Sequence, residues 1–93
     1  MGYIKVRNVK GSSRWGAPDG YTSWLDYWSK HKGEALFCGA KDCLGSAEVG
    51  GHVVKVDSDD NSIYIIPLCK SCNPRTDEYC VLESMLLHVP SRL

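Results

Sequence analysis

Cys38-Gly-Ala-Lys-Asp-Cys43 and, after a gap of 25 residues, Cys69-Lys-Ser-Cys72 decide how this chain is read. A short loop between paired cysteines lets the backbone curl until both sulfurs point at one centre. Two such loops supply the four thiolates of a tetrahedral Zn²⁺ site at roughly 2.3 Å. The second pair has the usual two-residue gap, and the first has four, the upper edge of the range. Two disulfides or unrelated buried thiols are the alternatives. One structural zinc held by Cys38, Cys43, Cys69 and Cys72 is the reading the rest of the chain favours, because nothing in it looks secreted.

A chain of 93 residues reads as a single domain, 1–93, with a core too small to be generously stable on hydrophobic burial alone. A metal supplies the staple, since its binding becomes part of the folding free energy. No apolar run approaches the length of a membrane span, and Met1-Gly-Tyr-Ile-Lys-Val-Arg7 has neither the apolar stretch of a signal peptide nor the Ser or Thr of a myristoylation motif at Val6. The expectation is a cytoplasmic protein of a reducing compartment, which again favours zinc over disulfides.

Net charge is zero but unevenly spread. Residues 1–33 carry six basic side chains against two acidic ones, +4, and residues 34–93 carry five against nine, −4. Phosphate is attracted by Lys and Arg, so the N-terminal segment is the better nucleic-acid surface, with Lys5, Arg7, Lys10, Arg14 and Trp15 as a basic and aromatic patch. Such a split is also common in ordinary solvated proteins.

Residues 3–9 alternate, Tyr3, Lys5 and Arg7 against Ile4 and Val6, and predict a strand with one buried face. Residues 11–20, rich in Gly with one Pro, predict a loop. A helix follows, capped by Thr22 or Ser23, with Asp26 in its first turn and Gly33 after its last; Trp24, Leu25 and Trp28 form its apolar stripe, more in keeping with core than with a recognition surface. Residues 47–49 predict a short strand. Residues 51–56 and 62–67 flank Asp57-Ser-Asp-Asp-Asn61 and predict a β-hairpin, with Val53 and Ile65 buried on one face. The turn lacks the Gly and terminal Glu of a Ca²⁺ loop. Pro74 suits the first position of a short helix. Residues 79–89 fit helix or strand, and Cys80 reads as a buried free thiol.

In order, Cys38-x4-Cys43, Gly51-His52-Val53-Val54, a polar turn, and Ile65-Ile66-Pro67-Leu68-Cys69-x2-Cys72-Asn73 resemble the zinc-containing HNH family in degenerate form. The likeness covers 37–77, and a second, to small uncharacterised bacterial and phage zinc proteins with Trp-rich N-terminal helices, covers more of the chain. The resemblance implies an α+β treble clef: a knuckle, a ββ hairpin, then a second knuckle running into a helix. Here an N-terminal strand and aromatic helix (1–33) would precede a zinc segment (34–93). It also implies a nuclease in which His52 is the general base and Asn73 a final metal-side residue. However, Gly51 stands where the family has a metal-binding Asp, and Tyr64 where it has the Asn that aims the His. Glu48 is the nearest replacement carboxylate. Three functions follow: a non-catalytic zinc module that binds a protein partner, a nucleic-acid binder using the basic N-terminal segment, or an HNH-type metal-dependent nuclease with His52 as base. The damaged constellation favours the first.

Overall fold

The computed structural model describes residues 2–12 and 15–89. It has one helix and a five-stranded sheet: β1 (Tyr3–Asn8), α1 (Trp24–Lys32), β2 (Val49–Lys55), β3 (Ile63–Leu68), β4 (Glu78–Leu82) and β5 (Leu87–Val89), in sheet order β4-β1-β2-β3-β5 with every pair antiparallel. The expected hairpin is present, with His52 opposite Ile65 and Val53 opposite Tyr64. That register corrects one expectation. Cross-strand partners share a face, so Val53 and Ile65, both fully buried, point to opposite sides of the sheet.

Both faces are therefore covered. On one, Val6, Val53, Ile66, Leu68, Tyr79 and Val81 join Cys38, Cys69 and Cys72 in a single core, with Cys43 packed against it. On the other, α1 lies over β2, β3 and β5 and buries Tyr27 and Trp28 against the Ile65 side. The helix starts where expected: Ser23, in extended conformation, accepts a bond from the Asp26 amide at 3.0 Å, and the Asp26 carboxylate accepts from Thr22 at 3.1 Å. It ends at Gly33, whose φ of 110° only glycine adopts readily. Its first turn rests directly on Gly50. A Cβ there would lie 2.6 Å from the Leu25 amide nitrogen, so no side chain fits between helix and sheet.

The C-terminal third differs most from the sequence reading. Pro74 opens no helix; residues 70–74 are turns, and the chain then enters β4. The ambiguous stretch is strand, a 3₁₀ turn at Glu83–Met85, and strand again. Residues 47–49 form no separate strand, Val49 being the first residue of β2. β4 and β5 sit at opposite edges of the sheet, about 19 Å apart if it were flat. The coiled link from Leu82 to Leu87 cannot reach that far, since even fully extended it spans only about 17 Å. The sheet must therefore curl, and Leu86, buried in the link, joins the Val6–Val53–Ile66 core.

Candidate metal centre

Two β-type scaffolds present the cysteines. The first knuckle is pinched at its base, where the Cys38 amide donates to the Gly45 carbonyl (2.9 Å) and Phe37 bridges Ser46. Its tip is turned by Asp42, with a φ of 66°, and its middle is stitched to the outer edge of β4 by Lys41 N–H to Cys80 O at 2.8 Å. The second knuckle follows β3 directly. The Cys72 and Asn73 amides both donate to the Cys69 carbonyl, and the Glu48 carboxylate accepts from the Lys70 amide at 2.9 Å. Glu48 thus supports the second knuckle.

The four sulfurs converge, all lying within 4.8 Å of one another, with Cys43–Cys69 at 3.7 Å and Cys43–Cys72 at 3.8 Å. A tetrahedron with metal–sulfur distances of about 2.3 Å has edges of about 3.8 Å. The electrostatics suit a dication. Burial raises the Cys69 thiol, but the amides of Cys72 and Ser71 and the neighbouring thiols outweigh it and hold the group at about 7. Burial, and then the sulfurs around it, push Cys72 up to about 12, because a second negative charge beside the first is unfavourable without a cation. Four sulfurs leave a metal no open coordination position, so the site can hold an ion and organise the chain but offers no place for a reacting water.

The other expected site residues do not assemble. Gly51 and Asn73 lie together on the knuckle side, where a Cβ on Gly51 would be 3.1 Å from the Asn73 Oδ1 and 2.4 Å from a Leu68 methyl. His52, the next residue of β2, points the opposite way. Its ring is wedged edge-on between Trp24 (4.5 Å between centroids) and Trp15 (4.8 Å), only 4% exposed, and its buried Nε2 has no hydrogen-bond partner among the described residues. Desolvation lowers its pKa to about 4. Tyr64, in the expected Asn position, donates to Asp60 in the hairpin turn.

Of the basic patch, Lys5 faces Glu78 at 3.9 Å, Arg7 and Lys10 line a groove at the end of β1, Trp15 is 43% exposed over His52, and Arg14 lies outside the described residues. Cys80 is half-buried and apart from the ligand cluster. Two residues went unread in the sequence. The Asn8 amide lies within 3.1 Å of the carbonyls of Cys72, Asn73 and Arg75, and its oxygen accepts from Tyr79, so β1 holds the second knuckle in place. Arg75 stacks on the Tyr79 ring at 4.7 Å. An Asn ending a strand of alternating pattern was the available signal for the first.

In comparison with known proteins, the chain matches no family model, and neither a curated protein nor a solved structure is significantly similar to it. Among the described residues, no helix is long and apolar enough to cross a membrane.

Proposed function

We propose that this protein is a non-catalytic, zinc-stabilised module that docks onto a protein partner in a reducing compartment. The convergence of four cysteine sulfurs at tetrahedral edge distances carries the reading. Zinc suits an all-sulfur tetrahedral set, and free thiols persist where disulfides are kept reduced. The knuckle–hairpin–knuckle order supports descent from an HNH-like treble clef in which β4 stands where that fold begins its helix. Leu36, Phe37 and Leu44, exposed by 56, 67 and 95% around the first knuckle, supply the docking surface.

The nuclease reading loses support on geometry. A general base must reach the water it deprotonates, and His52 is sealed between two indoles on the face away from Gly51 and Asn73. The test is a plasmid-cleavage assay of zinc-loaded protein with Mg²⁺, Mn²⁺ or Ni²⁺, run beside metal analysis. One equivalent of zinc with no cleavage, and no difference between wild type and His52→Ala, is the expected result. Metal-dependent nicking abolished by His52→Ala would restore the nuclease.

A further inference from the structure

A groove of about 630 Å³ opens where β1 runs into residues 9–12 and meets the turn after the second knuckle. Three cations line it, Arg7, Lys10 and Arg75, together with the polar side chains of Ser12, Asn73 and Thr76. Among the described residues Arg7 and Lys10 have no acidic group within 4 Å; Glu78, across from Arg7 in β4, lies near Lys5 instead. Asp77 pairs with Arg75, whose guanidinium lies over the Tyr79 ring. The groove's cations come from two segments far apart in sequence, and the Asn8 bonds to the carbonyls of Cys72, Asn73 and Arg75 fix those segments together. An exposed aromatic lies alongside. Arg7 sits opposite Val54, which shares a face of β2 with His52, and Trp15 rests on His52.

We infer that this groove takes the phosphate backbone of single-stranded nucleic acid, with an unpaired base stacked on Trp15. Lys and Arg side chains attract phosphates, and an exposed indole binds the face of any base. The groove has the volume of a small-molecule pocket, a few hundred Å³, and stacking on Trp15 needs a base whose face is free, which a single strand offers and an intact duplex does not. The inference goes beyond the docking module proposed above and depends on the metal centre only for the position of Arg75.

The test is fluorescence anisotropy with labelled dT12 and rU12, a duplex of equal length, and poly-glutamate, on protein whose metal content has been measured. Binding of a single strand at 50 mM NaCl is expected, weakening roughly 20-fold at 200 mM for about three phosphate contacts. The dT12 and rU12 arms tell which backbone is preferred. Arg7→Gln with Lys10→Gln, both on the surface, should weaken binding at least tenfold and flatten the salt dependence. Trp15→Leu should weaken it at least fivefold. As a check against misfolding, Lys10→Glu alone should also weaken binding while its amide spectrum and metal content match wild type. No binding by metal-loaded wild type, unchanged binding by the double variant, or equal binding of duplex or poly-glutamate would overturn the groove while leaving the zinc reading intact. Absence of metal in wild type would overturn the zinc reading instead.

Discussion

His52 is a buried polar group that the fold keeps neutral. With its pKa lowered to about 4 by desolvation, the folded state resists a proton that the unfolded chain accepts near 6.5. The unfolded state therefore binds more protons between those values, and stability must fall as pH drops below about 6.5 and level off below 4. At pH 5 the loss relative to pH 8 is about 2 kcal/mol. His52→Phe, which keeps an aromatic ring against Trp15 and Trp24, should lack it. Denaturant titrations of both proteins at pH 8 and pH 5 check this, and acid effects on the cysteines cancel in the comparison. Gly51 is constrained by contact. A side chain there strikes the buried Leu68, so Gly51→Ala should cost about 1–3 kcal/mol, and Gly51→Asp should not create a metal-binding nuclease site. Cys80→Ser should leave metal content unchanged, because that thiol stands outside the cluster.

At the scale of elements, the hairpin and the helix carry separate predictions. Ile65, fully buried under α1, should cost roughly 2–5 kcal/mol on truncation to Ala, whereas Asp59→Ala on the exposed turn should be nearly silent by thermal melting. Asn8→Ala should cost about 1–3 kcal/mol and speed metal loss to a chelator, since it frees the second knuckle from β1. The strand at Tyr3, the capped helix, the hairpin and the clustering of the four cysteines were legible because each is written locally, in alternation, caps or spacing. The faces of Val53 and Ile65 were not. Both strands of the hairpin are apolar on both sides, since helix and knuckles cover the two faces, so alternation is lost and register has to come from partners. Residues 79–89 stayed open between helix and strand for a related reason: Val81, Leu82, Met85 and Leu86 fit a helical spacing, and only the pairing of the free edge of β1 with Tyr79 and Val81, with a 3₁₀ turn breaking the period, decides for strand.

Across the whole molecule, the four-cysteine cluster joins the first knuckle, stitched to β4, with the second, which continues β3 and is tied to β1 through Asn8. A metal there closes the chain between Cys43 and Cys69 and clamps three strands of a curled sheet whose own core is small. Without it, four sulfurs crowd one point, with the Cys69 thiol lowered by neighbouring amides and thiols and the Cys72 thiol raised by burial, so apo protein should lose tertiary packing as a unit. The most direct measurement is metal content by mass spectrometry joined to an amide-proton NMR spectrum before and after a strong chelator. One zinc per chain, dispersed resonances that collapse on chelation, and recovery when zinc is returned are the predicted results. A chain that keeps its dispersed spectrum with no metal bound would contradict the account.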